Sequence, residues 1–411
     1  MREWSRREFL KFMGLGVSGL FMGALLAGCG QGSGSRRGEP DASVASGSND
    51  ASSSSADRPL RIGFLPITDA SPLLVAHAKG FYEAEGLEVE RPYLFRGWSQ
   101  IVEAFVAGQV DVIHVLMPTA VWMRFGQNIP VRIVAWNHTD GSALTVHPGI
   151  HQVADLAGQT VAIPYWYSIH NVVLQELLRR SGLRPAEHAR DRLASDEVRL
   201  VVMAPSDMPT ALANRSVAGY IVAEPFNAAA EVMEIGKILR FTGDVWLRHA
   251  CCVVVMREED LQRRPVWAQK VVDAIVKAQL WMREHREEAA RVLSGEGEGY
   301  LPQPLAAIQR ALVHYDHAHY GPAGAIQHPE WGNARIDFVP YPYPSYTEAL
   351  VRFLKGTYVE GERAFLDRLD PAAAHAQLVN DTFVRKAIEQ VGGLAAFGVP
   401  DEWVRTEVIA P

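Results

Sequence analysis

From Pro59 onward the chain alternates short β-rich runs with segments of helical periodicity, and few architectures accommodate that rhythm. Leu60-Arg61-Ile62-Gly63-Phe64-Leu65 predicts a strand, Pro72 to about Glu85 a helix, and Leu87-Glu88-Val89-Glu90-Arg91 a second strand. A helix through Ser99 to Ala107, the turn Gly108-Gln109 and a strand from Val110 to Val115 complete the next cycle. Strand, helix, strand at this spacing implies a doubly wound α/β lobe, with ligands at the carboxyl ends of its strands. A second set follows: Thr160 to Pro164 as a strand, Asn171 to Ser181 as a helix, and Val198 to Met203 and Ala218 to Val222 as strands. Two lobes of one architecture are expected, with crossings near residues 140–146 and 242–248 as the hinge. The first lobe is then built from both ends of the chain: 59–143 on the way out, 144–244 in the second lobe, and 245–411 for the return. After Pro265 the pattern turns helical, at Val266 to His285, Glu287 to Leu293, Pro304 to Tyr315, Tyr346 to Gly356 and Asp381 to Gly392.

The N-terminus reads as an address. Arg6-Arg7 precedes an apolar, glycine-containing run from Phe12 to Gly28 that ends in Leu26-Ala27-Gly28-Cys29. A paired arginine, a mildly hydrophobic segment and small residues before a cysteine predict a twin-arginine lipoprotein signal over 1–28, cleaved before a lipidated Cys29. The rival reading, a single membrane-spanning helix, suffers from a run at the short limit for a span and from its glycines. Residues 30–58 contain no aromatic side chain and Val44 as the one large aliphatic, so with Cys29 they predict a flexible tether. The expected location is the outer side of the membrane, periplasmic or cell-surface, held by lipid. A formal charge of -7 argues against a nucleic-acid partner. With Cys29 taken by lipid, Cys251 and Cys252 are the thiols left, so no long-range disulfide is expected within the chain.

The segment from Gly63 to Ala76, then Lys79-Gly80-Phe81-Tyr82-Glu83-Ala84-Glu85-Gly86-Leu87-Glu88-Val89 and Gly108-Gln109-Val110-Asp111-Val112, resembles the substrate-binding lipoproteins of ABC importers for nitrate, bicarbonate, sulfonates and thiamine pyrimidines. Gly97-Trp98, Met117-Pro118-Thr119, Ala223-Glu224-Pro225-Phe226 and Asp244 to His249 continue the likeness over residues 59 to 260. The resemblance implies a two-lobed clamp of the type II periplasmic-binding-protein class with a helical C-terminal extension. It implies a monomer that closes around a small polar or anionic solute, with no catalysis and no cofactor, and passes it to a permease and its ATPase. It also implies pocket positions at Trp98, His138 to Ser142 (including Gly141), His170, Glu224 and the residues after His249. The strand-end residues Thr68, Asp69, Pro118 and Thr119 should face the same cleft, as should Trp246. The sequence departs from the nitrate and bicarbonate branch at Cys251 and Cys252, where that branch carries charges.

Several side chains admit two readings. Ser168 is an N-cap candidate for the helix that follows, which puts His170 in the first turn, where free N–H groups and the helix dipole favour an anion; otherwise His170 is solvated. Tyr165, Trp166 and Tyr167 suit a flat ligand, or pack. Glu224 accepts a ligand donor, binds a cation or pairs across the hinge. In a strand His249 and Cys251 would share one face and Cys252 the other, which makes His249 and Cys251 candidate soft-metal ligands and Cys252 a packed thiol. His314, His317 and His319 form another cluster, expected to be solvated imidazoles. Two alternatives to the solute receptor follow: a receptor for a thiamine-pyrimidine or other heteroaromatic precursor, and a metal-dependent enzyme of the pyrimidine-synthase kind using His249 and Cys251.

Overall fold

Ile62–Phe64 (β1), three fully buried apolar residues, opens the first of two sheets. A computed structural model describes residues 58–187 and 192–410. The expected signal peptide 1–28, Cys29 and the tether as far as Asp57 lie outside the described residues.

The first sheet joins β1 to Tyr93–Leu94 (β2), Val112–Leu116 (β3), Val131–Trp136 (β4) and a late strand, with the spatial order β2-β1-β3-late strand-β4. β1 runs parallel to β2 and β3. The late strand, Cys252–Arg257, lies antiparallel to both β3 and β4. Its register sets Cys252 against Leu116 and Val253 against Trp136. An antiparallel strand starts where its neighbours end, so the opening of this return strand sits at the carboxyl edge of β1, β3 and β4. β3 and the return strand are buried on both faces, the pattern of strands covered by helices on each side.

The chain crosses to the second sheet through Thr139–Asp140 (β5), which pairs with Ile336–Asp337 of the C-terminal region. The second sheet comprises Ser142–Val146 (β6), Thr160–Ile163 (β7), Arg184–Pro185 (β8), Glu197–Val202 (β9), Gly219–Ala223 (β10) and Lys237–Phe241 (β11), in the order β11-β6-β10-β7-β9-β8. β6 is antiparallel to β10 and β11, with Ser142 opposite Ala223. The return strand is β12, and Ile336–Asp337 is β13.

Three expectations are corrected. Residues 140–146 do not form the hinge, because Ser142–Val146 is a full strand of the second sheet; the outward crossing is residues 137–141. The helix expected from 72 to 85 is two helices, Ser71–Ala78 and Phe81–Ala84, broken where Gly80 takes φ +69°. The strand expected at 87–91 reduces to a bridge between Leu60 and Val89, with the paired residues falling at Tyr93–Leu94.

The long helix Pro265–Glu284 packs on Ser71–Ala78 and on Thr382–Gln390. From it Gln279 Nε2 donates to the carbonyls of Trp136 and Asn137 at 2.9 and 2.8 Å, which satisfies two backbone acceptors where the chain leaves the first sheet. No helix among the described residues is long and apolar enough to cross a membrane.

Candidate functional site

The carboxyl edges of the two sheets face each other, and side chains from both close the gap. Thr68, just after β1, donates its backbone N–H and its hydroxyl to the Glu224 carbonyl at the end of β10, at 2.8 and 3.0 Å. Thr119, just after β3, donates its hydroxyl to the Tyr167 carbonyl after β7, at 2.8 Å. Trp122 stacks on Tyr167 with centroids 6.0 Å apart and 23° between planes, and meets Tyr165 edge-on. The Tyr165 hydroxyl is hydrogen-bonded to Ser99 of the first lobe. These contacts hold the lobes shut, and Thr68, Asp69, Thr119, His138, His170, His249 and Cys251 are all fully buried.

Beneath this closure the first sheet gathers a compact polar cluster. Asp69 follows β1, His138 follows β4, and Cys251 and Cys252 open β12, so sheet topology alone brings four distant segments together. One ligand atom from each of Asp69, His138, Cys251 and Cys252 lies within 4.8 Å of all the others. His138 Nε2 is 2.9 Å from Asp69 Oδ2, and Cys251 Sγ is 3.2 Å from the same oxygen. The Cys252 N–H also points at His138 Nε2, at 3.2 Å. From the second lobe Ser142 Oγ approaches His170 Nε2 at 2.9 Å, and that nitrogen lies 3.8 Å from Cys251 Sγ. The scaffold is stiff: Met117 N–H bonds the Cys251 carbonyl, Asn137 N–H the Cys252 carbonyl, and the Asn137 amide the Asp69 carbonyl.

Full burial makes each ionisation here depend on its neighbours. Burial, then the adjacent Cys251, push the Asp69 carboxyl up to about 6 against the pull of His138. Burial alone would lower His138, but Asp69 beside it raises the imidazole to about 10. Cys251 is held well below the ordinary thiol range in spite of its burial, through Cys252, His170 and His138. Cys252 is driven the other way by burial and by Cys251.

The placement of the expected site residues is mixed. Thr68, Asp69, Thr119, His138, His170 and Cys251 meet at the junction, and Pro118 lies in the first turn of the helix Met117–Val121 beside them. Ser168 does cap its helix, its Oγ accepting from the Asn171 N–H at 3.0 Å, and His170 is buried, not solvated. Gly141 serves the crossing: its φ is +78°, and a Cβ there would stand 2.8 Å from Ile336. Trp98 is 4% exposed, edge-on to His114 at 5.6 Å, with its indole N–H unpartnered.

Of the remaining positions, Glu224 takes its ion-pair reading, and the expectations for Trp246 and His249 fail. Glu224 is not a free carboxylate: Arg335 donates Nε to Oε1 at 2.7 Å, and the Ala228 N–H takes Oε2 at 2.9 Å. Trp246 packs on Tyr346 and Phe353 and donates its N–H to Glu407, so it braces the C-terminal segment. His249 does not share a ligand face with Cys251, because the strand begins only at Cys252 and Arg248 turns the chain with φ +52°. His249 Nε2 instead meets Thr242 Oγ1 at 2.8 Å, while both thiols reach the cluster.

Sequence reasoning missed His114 and Arg335. His114 accepts the Leu65 N–H at 3.0 Å from the middle of a buried strand, and that lone polar residue in an apolar run was the available signal. Arg335 carried none, because its partners are 111 and 104 residues away.

A family profile described as NMT1-like matches residues 53–294, more than half of the chain. The nitrate/nitrite binding protein NrtA of Nostoc sp. is 26% identical over 323 residues, 72% of this chain and 70% of that protein. The nitrate import ATP-binding protein NrtC of Synechocystis sp. is 28% identical over 244 residues, 56% of this chain, which spans only 36% of that relative's length. Among solved structures, the periplasmic nitrate-binding protein NrtA from Synechocystis superposes with a TM-score of 0.69 at 19% identity, covering 85% of this chain and 93% of the other.

Proposed function

Because the chain belongs to the NMT1-like family, we propose that it is the solute-binding component of an ABC importer, capturing a small polar or anionic solute between its lobes. The observation that carries this reading is the set of buried polar atoms left without partners where the sheet edges meet. Asp69 Oδ1, Ser71 Oγ, Trp98 Nε1 and His170 Nδ1 have no protein partner although fully enclosed. Buried polar groups are ordinarily satisfied, which supports a guest at this place.

The chemistry required is recognition. Thr68 to Glu224 and Thr119 to Tyr167 are hydrogen bonds between lobes that only the closed form makes. A solute touching both lobes adds its contacts to theirs and shifts the hinge toward closure. In this reading the protein works outside the cytoplasm, anchored through Cys29 after twin-arginine export, as a monomer that docks on a permease driven by an ATPase, without turning its solute over. The similarity to NrtA and to part of NrtC supports the import role.

Native mass spectrometry of the gently purified full chain, followed by titration with nitrate, bicarbonate and an alkanesulfonate, tests the proposal. A bound small molecule, or saturable tryptophan-fluorescence change with one of the three, is expected. Chemical conversion of the bound molecule, or a chain whose scattering profile never changes with any captured solute, refutes the receptor role. Acyl labelling that persists in Cys29→Ala refutes the anchor.

A further inference from the structure

We propose that Asp69, His138, Cys251 and Cys252 form a binding site for one soft divalent metal ion, with zinc as its reference occupant. The inference goes beyond the receptor role and does not depend on it.

Zinc bound by sulfur at about 2.3 Å and by nitrogen or oxygen at about 2.0–2.2 Å makes a tetrahedron whose edges are about 3.3–3.8 Å. The four ligand atoms here lie within 4.8 Å of one another, with the shortest approaches at 2.9 and 3.2 Å. Contraction on one side and relaxation on the other, each of about 1 Å or less, brings them to that figure. The same atoms are crowded onto one another: Asp69 Oδ2 faces both His138 Nε2 and Cys251 Sγ, His138 Nε2 faces the Cys252 N–H as well, and Asp69 Oδ1 has no partner. A divalent ion neutralises two thiolates and takes the ring and carboxylate lone pairs at once.

All four ligands come from the edge of one sheet or the crossing beside it, and three backbone or amide hydrogen bonds fix their segments. The site is therefore preformed on rigid elements. It is reached from the second lobe's side, where His170 and Ser142 cover it, so opening of the lobes is the route of entry. The ligand set is soft and mixed, which favours zinc, or the cobalt that replaces it, over magnesium or calcium.

Cobalt(II) titration of the reduced full chain tests the site. One cobalt per chain is expected, with thiolate-to-cobalt charge-transfer absorption and the intense visible band of a tetrahedral ion. Each of Cys251→Ser and Cys252→Ser should roughly halve the charge-transfer intensity, and the double variant should abolish it. Asp69→Asn and His138→Gln should weaken zinc in competition with a chromophoric chelator by about tenfold or more. His317→Ala, on the exposed histidine cluster, should change nothing. Absence of charge-transfer absorption, or its survival in the double cysteine variant, overturns the proposal. If the cysteine variants fail to fold, peptide-mapped alkylation of the unaltered chain decides: zinc should protect Cys251 and Cys252 together, and equal labelling with and without zinc overturns the site.

Discussion

Arg335→Met should destabilise the protein more than any exposed substitution, and the structure fixes the reason. The guanidinium is buried, with Nε and a terminal nitrogen on Glu224 Oε1 at 2.7 and 2.6 Å, another on the Tyr320 hydroxyl at 2.9 Å, and a 3.0 Å contact to Glu231 Oε2. Methionine preserves the stem and deletes the charge. Glu231 keeps Arg310, but Glu224 is left enclosed with only the Ala228 N–H. Breaking one side of a buried pair costs about 3–5 kcal/mol, most of it from the stranded partner. The unit from Arg58 to Pro411 has an unfolding entropy of roughly 0.7 kcal/mol/K by the usual per-residue scaling, so the midpoint should fall by about 4–7 °C.

The double-mutant cycle separates charge from packing. In Arg335→Met with Glu224→Gln the stranded carboxylate is gone, while the amide oxygen still accepts from Ala228, so half or more of the loss should return. Differential scanning calorimetry on the four proteins reads the cycle. Additive losses refute the reasoning. So does a Glu224→Gln protein with unaltered stability and abolished solute capture, because it returns Glu224 to the ligand.

Thr119→Val removes the hydroxyl bonded to the Tyr167 carbonyl across the lobes. Both groups are hydrated when the lobes part, so the closed form should lose about 0.5–1.5 kcal/mol, and the closed-to-open ratio should fall roughly 2- to 13-fold. Small-angle scattering of the unliganded chain should shift to a larger radius, and an unchanged profile counts against the closure. His114 supplies a pH test: burial drives its imidazole down to about 3, and its Nε2 accepts the Leu65 N–H. A histidine depressed below its unfolded value of about 6.5 binds fewer protons when folded, so its contribution is complete above about 6.5 and is lost as pH falls toward 3. His114→Gln should be less stable at pH 7 yet show a shallower loss between pH 6.5 and 4 in urea titrations, and parallel slopes would exclude the imidazole.

The fold was legible in the sequence wherever burial is periodic, and the site only where it sits next to such an element. β3 and β9 fall within a residue or two of the expected strands because an apolar run between turns has one economical solution. The helix at Ile169–Arg180 was readable with its Ser168 cap for the same local reason. What failed required knowledge of register across sheets. Whether Cys251 and Cys252 lie on opposite faces depends on where β12 begins, and that is decided by pairing with Leu116 and Trp136, more than a hundred residues earlier. Strand alternation starts only at the first paired residue, so the two thiols before and at that boundary turn the same way. Glu224 stayed open between ligand and ion pair for a similar reason: a lone carboxylate looks available until its cation, Arg335, arrives from the far end of the chain.

That pairing bears on what the cleft accepts. Among the described residues the two fully buried arginines are Arg240, tied to Asp244, and Arg335, tied to Glu224 and Glu231. No buried lysine accompanies them. An anion entering the junction would meet Asp69 and a low-pKa thiol with only imidazoles to offset them. Charge burial without compensation is costly, so a simple anion needs a cation supplied to the same space. A divalent ion on Asp69, His138, Cys251 and Cys252, as proposed, would turn this junction from an acidic surface into an electrophilic one. Linkage then makes the effect reciprocal: whatever factor the ion adds to anion affinity, the anion must add to the ion's. A neutral solute carries no charge for the ion to offset, so this coupling should be far weaker for it.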